Sequence, residues 1–464
     1  MKFLETLDKQ LLFFDGAMGT QLQARGLQAG ERPEIWNLLH PEVVQEVQEK
    51  YLEAGVHILK ANTFGVNPYK VAGTDYTVEQ LVQGGMQVAR NAVSAYEKRH
   101  PESSEPHFVA LDMGSLGKLM PPMGMFSFEE AYEAFAQMVR AGRDMADLVL
   151  IETMNDAYEM KAAVLAVKEN SDLPVVVTMV LDENGRLLTG GDIPAAVATL
   201  EGLGVDCIGM NCALGPKQML GLLPILKSCC SKPLVINPNA GMPELVDGET
   251  VFKIGPEEFA ADQLQMLQAG AHALGGCCGT SPEHIAHMIR LVKGAERQAV
   301  SAKALTMVST YGQHLILGEE PILVGGRIDP QLNEELVEAL LEDDLEILVD
   351  EAFDQQEEGA QVISVNVAAE GVDEADVLDR GVQVLQGMIK LPLMLCTSNA
   401  EALEKALRHY NGKALVRVEQ NAKELLPIVK KYGGVVVCED TAAALSAGIL
   451  EKDCLTVDKL VMLE

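Results

Sequence analysis

Three cysteines stand at the ends of two apolar runs. Cys277 and Cys278 lie between glycines in Gly275-Gly276-Cys277-Cys278-Gly279-Thr280, directly after Ala271-His272-Ala273-Leu274. Cys212 closes Cys207-Ile208-Gly209-Met210-Asn211-Cys212. Thiolates hold zinc at about 2.3 Å, and a catalytic zinc keeps one of its four positions open. If the two runs are neighbouring strands, three sulfurs converge on one point. We therefore read Cys212, Cys277 and Cys278 as a three-sulfur zinc site. Adjacent strand residues point to opposite faces, so Cys277 and Cys278 share one ion only where the strand ends and bends. Gly276 and Gly279 are placed for that bend. The open position suits a thiol substrate, which loses its proton on the metal at neutral pH and becomes a nucleophile. Three thiolates make zinc a poor Lewis acid toward water, so alkyl transfer to sulfur is expected rather than hydrolysis. Isolated cysteines are mostly small core residues, and Cys207, Cys229, Cys230, Cys396, Cys438 and Cys454 are read that way.

Bringing those runs together requires a particular scaffold. Short apolar runs recur at residues 11–14, 58–61, 108–111, 148–151, 175–177, 207–210, 234–236 and 271–274. Helix-like stretches such as 41–54, 128–146, 194–203 and 256–269 separate them. Continuous apolar runs alternating with amphipathic helices indicate parallel strands covered on both faces. Eight such units in the first 290 or so residues predict a (β/α)₈ TIM barrel, with a doubly wound sheet as the alternative. In a barrel the chemistry sits at the C-terminal strand ends. Those ends carry Asp15, Asn62, Thr63, Asp112, Ser115, Glu152, Thr178, Asn211, Cys212, Asn239, Cys277 and Cys278.

The predicted domains are a barrel over residues 1–293, a linker over 294–312, and a smaller α/β domain over 313–464. The last has five or six strand-like runs, separated by helices such as 333–358, 375–389 and 400–410. That is too few for an eight-stranded barrel, so an open sheet or a barrel fragment is expected.

Bulk properties narrow the function. The chain has 464 residues and a formal net charge of −32, which argues against nucleic acid or an anionic membrane as partner. No apolar run approaches the ~18 residues needed to cross a bilayer, and the first residues lack a cleavable apolar segment. A cytoplasmic protein is expected. Nine cysteines, two pairs of them adjacent, suit a disulfide framework badly and a reducing compartment well.

Taken together, Asp15-Gly16-Ala17-Met18-Gly19-Thr20, Ala61-Asn62-Thr63-Phe64, Ile151-Glu152-Thr153, Gly209-Met210-Asn211-Cys212, Pro238-Asn239-Ala240-Gly241 and Gly275-Gly276-Cys277-Cys278-Gly279-Thr280 carry a family resemblance. Over residues 8–292 the sequence resembles the homocysteine S-methyltransferase family, in particular the homocysteine module of cobalamin-dependent methionine synthases. The resemblance implies zinc on Cys212, Cys277 and Cys278. It implies homocysteine as substrate, its amino-acid end held by Asp15, Ala17 and Met18 of the first loop, with Ser115 and Glu152. Charge logic agrees, since a carboxylate can pair with the substrate ammonium and backbone amides of the loop can take its carboxylate. Asp15 has a second reading, as a loop aspartate bonded to nearby amides.

The second domain resembles the start of the pterin-binding module of methionine synthases, through Val324-Gly325-Gly326-Arg327-Ile328-Asp329-Pro330, Val365-Asn366-Val367 and Thr397-Ser398-Asn399-Ala400-Glu401-Ala402-Leu403. It departs from that family at Gly326, where the family has glutamate, at Asp329, where it has asparagine, and at Cys396, where it has the aspartate that helps hold the pterin. The asparagine-bearing motif expected near Arg417-Val418-Glu419 is absent. Weak or no folate binding is expected. Asn366 is the one retained contact of pterin type, with a capping or turn asparagine as its other reading. No cobalamin-binding motif follows, so methylcobalamin is expected on a separate corrinoid protein. A sulfonium or betaine-type donor, another thiol acceptor, and a non-catalytic docking role are the alternatives.

Overall fold

The computed structural model describes residues 2–28, 30–246, 249–318 and 320–463. The chain divides into two compact units. One holds the residues up to Leu119, Phe126–Leu188 and Val205–Ala302; the other holds Met120–Met125, Thr189–Gly204 and the chain from Lys303 onward.

In the first unit eight parallel strands form one sheet: Leu12–Phe13, Ile58–Lys60, Phe108–Met113, Leu148–Met154, Val175–Met179, Cys207–Asn211, Leu234–Asn237 and Ala273–Leu274. From the second to the eighth, each pairs with the next in sequence, and the eighth pairs with the first. A bridge between Phe14 and Ile58, with the Asp15 amide donating to the Ile58 carbonyl at 3.1 Å, joins first to second. The barrel is therefore closed, as the count of eight runs predicts.

Strand side chains alternate faces, and the barrel is filled accordingly. Leu12, Phe14, Ile58, Phe108, Ala110, Leu148, Leu150, Val176, Cys207, Val235 and Ala273 form one buried cluster, which Phe3 and Leu7 of the helix Phe3–Leu7 join. Two residues further along the same strands, the inward positions turn polar: Lys60 after Ile58, Asp112 after Ala110, Glu152 after Leu150, Thr178 after Val176. All four are buried. Apolar layers below and a polar layer above put the chemistry at the C-terminal rim.

The second unit carries a seven-stranded parallel sheet: Ile322–Gly325, Val362–Val365, Leu393–Cys396, Leu415–Arg417, Val435–Cys438, Cys454–Thr456 and Leu460–Leu463. Cys454–Thr456 forms one edge, against Val435–Cys438; Leu460–Leu463 forms the other, against Ile322–Gly325. Only the 3₁₀ turn Val457–Lys459 separates these two edge strands in sequence. Four peptide steps reach at most about 14 Å, so the chain ends of these edge strands lie no farther apart than that and the sheet is rolled. Its inward residues Ile322, Val324, Val362, Met394, Leu415, Val435, Val437 and Leu455 form one core, closed by Val308 and Leu317. Those last two belong to an antiparallel hairpin, Thr306–Ser309 with His314–Leu317, which begins inside the stretch expected to be linker.

One predicted helix is two. Residues 333–358 form Glu334–Leu341 and Glu346–Glu357. Asp343 between them adopts a left-handed φ of 63°, and the Asp344 side chain accepts from the Glu346 amide at 2.9 Å, restarting the helix.

Candidate active site

Two backbone turns deliver the sulfurs. Cys212 and Ala213 take left-handed φ values of 55° and 52° just past the strand Cys207–Asn211. At the other turn Gly279 has φ 78°, and a side chain there would run into the Phe252 ring. Gly276 plays a different part from the one expected. Its φ is ordinary, but a Cβ would sit 2.5 Å from Thr280 Oγ1; it permits close packing while Gly279 makes the bend. Thr280 Oγ1 donates to the Cys277 carbonyl at 2.6 Å and fixes the turn.

Cys212 Sγ and Cys278 Sγ are 3.8 Å apart, and all three sulfurs lie within 4.8 Å of one another. Bonds of about 2.3 Å at tetrahedral angles place ligand sulfurs about 3.8 Å apart, so the set fits a zinc ion. All three cysteines are free. Hydrogen bonds from Cys277 and Cys278 draw the Cys212 thiol down to about 3, while the same contacts with Cys212 push Cys277 up to about 11 and Cys278 higher still. One negative sulfur is thus shared by two thiols, an arrangement that a divalent cation would replace by displacing the protons.

Beside the sulfurs lies a charged cluster. Lys60 Nζ is 3.7 Å from Asp15 Oδ1 and 3.6 Å from Glu152 Oε2. The Lys60 amide donates to Asp15 Oδ2 at 3.0 Å. Burial pushes Asp15 and Glu152 up to about 7 each, against the pull of Lys60. Burial, and then the Glu152 charge, push Asp112 well above the ordinary carboxylate range, and it hydrogen-bonds to Glu152. Burial would lower Lys60, but Glu152 and Asp15 hold it well above the ordinary lysine value.

Asn211 aligns this rim. Its Oδ1 accepts from the Thr153 amide and the Thr178 hydroxyl, both at 2.8 Å, and its Nδ2 donates to Thr153 Oγ1 at 2.8 Å. Thr153 has φ 62°, rare for a β-branched residue, and sits at a register shift in its strand. The clasp from Asn211 holds it there and so sets the direction of Glu152.

Asp15, Ala17, Met18, Glu152, Cys212, Cys277 and Cys278 all line one cavity of 330 Å³. Ser115 does not: its Oγ accepts from the Gly117 amide at 3.1 Å and bonds to Glu159. The Ala17 amide, part of the loop expected to meet the substrate carboxylate, donates to Thr280 Oγ1 at 3.1 Å. The cavity also contains Asp112, which sequence reasoning placed at the strand-end rim without a role, and Lys60 and Thr153, which it did not single out. Strand parity was the available signal for Lys60, because it lies two residues beyond a core position.

In the second unit a cavity of 180 Å³ is lined by Asn366, Cys396, Thr397, Arg417 and Glu419 among others. Asn366 is engaged locally: its Nδ2 donates to Asp329 Oδ1 at 3.1 Å and its Oδ1 accepts from the Ala368 amide at 3.0 Å. The Cys396 sulfur is 3.2 Å from Ser364 Oγ.

Residues 12–292 match the family model for homocysteine S-methyltransferase, and residues 334–449 match that for pterin binding enzyme. A methionine synthase of Mycobacterium leprae is 28% identical over 493 aligned residues, covering 99% of this chain and 40% of that protein. A methionine synthase of Mycobacterium tuberculosis is 29% identical, covering 94% of this chain and 38% of that protein. The chain therefore spans well under half the length of these two relatives. Among solved structures, the metallated homocysteine methyltransferase MmuM from Escherichia coli superposes with a TM-score of 0.53 at 25% identity, covering 61% of this chain and 97% of that one. Its oxidised form gives 0.53 at 26% identity.

Proposed function

Because this chain belongs to the homocysteine S-methyltransferase family, we propose that its barrel transfers a methyl group to the sulfur of homocysteine, giving methionine, with zinc on Cys212, Cys277 and Cys278. The observation that carries this reading is the convergence of three free sulfurs within 4.8 Å at a cavity that also holds Asp15 and Glu152. A zinc ion held by three thiolates supplies a fourth position at which a substrate thiol sheds its proton at neutral pH. Asp15 and Glu152 offer carboxylate oxygens to the substrate ammonium, and Asn211 keeps Glu152 aimed at the cavity. Gly279 and Thr280 hold the Cys277-Cys278 turn so that both sulfurs face the same point. The homocysteine sulfur forms its new bond to carbon as the donor–methyl bond breaks, and the thiol proton goes to solvent. The donor we propose is methylcobalamin on a partner corrinoid protein, a reading that the likeness to methionine synthases supports.

The test is zinc content of the purified protein, followed by methionine formation from homocysteine with a panel of methyl donors that includes methylcobalamin. About one zinc per chain is expected, falling sharply in Cys277→Ala, with turnover lost. Full zinc occupancy in Cys277→Ala would sink the ligand assignment. Bound zinc with no turnover from any donor would favour a docking role instead.

A further inference from the structure

Among the described residues lining the sulfur cavity, Lys60 is the one cation. It is buried, with 8% of its surface exposed. Its Nζ lies 3.4 Å from the Gly276 carbonyl oxygen, 3.6 Å from Glu152 and 3.7 Å from Asp15. A well-formed bond from an ammonium to a carboxylate is about 2.7–2.9 Å. All three contacts are long, so the ammonium is ringed by acceptors and donates fully to none of them. On the same wall Asp15 Oδ1 and Asp112 Oδ1 have no hydrogen-bond partner. Buried charges are costly until their bonds are completed, and here an ammonium with only long contacts and two unpartnered carboxyl oxygens face one cavity.

That pattern is complementary to a zwitterion. A ligand ammonium finds oxygens on Asp15, Asp112 and Glu152. A ligand carboxylate needs a donor, and the Ala17 amide is already committed to Thr280 Oγ1. We propose that Lys60 binds the carboxylate of the acceptor, and so selects an α-amino-acid thiol over small thiols that lack a carboxylate. Charges then alternate through the cavity: Lys60, ligand carboxylate, ligand ammonium, Glu152. This inference rests on the reading of homocysteine as acceptor. It adds the residue that makes the acid group matter.

The experiment compares homocysteine with 3-aminopropanethiol, the same molecule without its carboxylate, by calorimetric titration of the zinc-loaded protein and of its Lys60→Met and Lys60→Arg variants. The wild type should prefer homocysteine by about 10- to 100-fold, the range for a hydrogen bond to a charged group. Lys60→Met should bring the two affinities close together by weakening homocysteine alone. Lys60→Arg, which keeps the charge but moves it, should change homocysteine affinity and leave 3-aminopropanethiol unchanged; it decides the matter should Lys60→Met not fold. Equal wild-type affinities overturn the proposal without any variant. So does a variant that weakens both ligands by the same factor, because Lys60 would then act only on Asp15 and Glu152. A wild type that binds neither thiol overturns the acceptor reading itself, and this inference with it.

Discussion

At Gly279 the backbone takes a conformation that side chains disfavour by about 1–2 kcal/mol, and the Phe252 ring occupies the space a Cβ would need. Gly279→Ala is therefore expected to loosen the Cys277-Cys278 turn. Zinc stoichiometry after dialysis against a weak chelator should drop well below the wild-type value, while far-ultraviolet circular dichroism stays native. Unchanged zinc retention would show that the turn does not position the sulfurs. The sulfurs themselves were legible in the sequence, since two adjacent cysteines among glycines and a third at another strand end have few other uses. Lys60 was not. It reads as an interruption in an apolar run, and only its parity with Ile58 shows that it faces the barrel interior. The commitment of Ser115 to Gly117 and Glu159 was also hidden, because a loop hydroxyl carries no period from which its direction follows.

Elements were legible where periodicity is strong. All eight barrel strands follow from apolar runs, and the helix Pro256–Ala269 matches its predicted bounds. The hairpin Thr306–Ser309/His314–Leu317 and the strand Cys454–Thr456 were not anticipated: Thr306–Ser309 holds two apolar residues between polar ends, and in Cys454–Thr456 only Leu455 is strongly apolar, so no apolar run marks either of those two segments. The split of helix 333–358 turns on a single left-handed aspartate, which leaves no mark on the apolar pattern.

The second unit depends on a buried ion pair, Lys413 Nζ to Asp453 Oδ1 at 2.5 Å. Asp453→Ala strands the ammonium and should cost about 3–5 kcal/mol in urea unfolding followed by a probe in that unit. A double change to Lys413→Met and Asp453→Leu should recover most of it. In the barrel, His272 Nδ1 accepts from the Leu234 amide at 3.1 Å, which requires that nitrogen to be unprotonated. Burial lowers His272 to about 4, from 6.5. The unfolded chain thus binds the proton first, so this contribution is complete above about pH 6.5 and is lost as the pH falls toward 4. His272→Asn, which keeps an acceptor but cannot titrate, should flatten that part of the wild-type pH–stability curve.

Over the whole molecule, two family matches lie in one chain, but their sites differ in completeness. The barrel cavity has its sulfurs, carboxylates and lysine in one place. In the second unit a cavity of 430 Å³ lies at Val418, Leu426 and Cys438, and the separate cavity at the expected pterin contact is 180 Å³. Its Asn366 is bonded to its own loop, and Cys396 stands in place of an acid. Titration calorimetry with methyltetrahydrofolate should accordingly show binding weaker than micromolar; micromolar affinity would overturn that expectation.

The rolled sheet of the second unit also constrains the order in which it folds. Pairing of Ile322 with Leu460 joins residues far apart in the chain, and such a contact repays its loop-closure entropy only after the intervening strands have docked. Pulse-labelled hydrogen exchange during refolding should therefore protect the amides of Leu393–Cys396 before those of Leu460–Leu463. Early protection of the latter would mean that the sheet nucleates at its seam. If the seam closes last, every partly folded form of this unit presents two bare strand edges, and those edges are where its misassembly with other chains would begin.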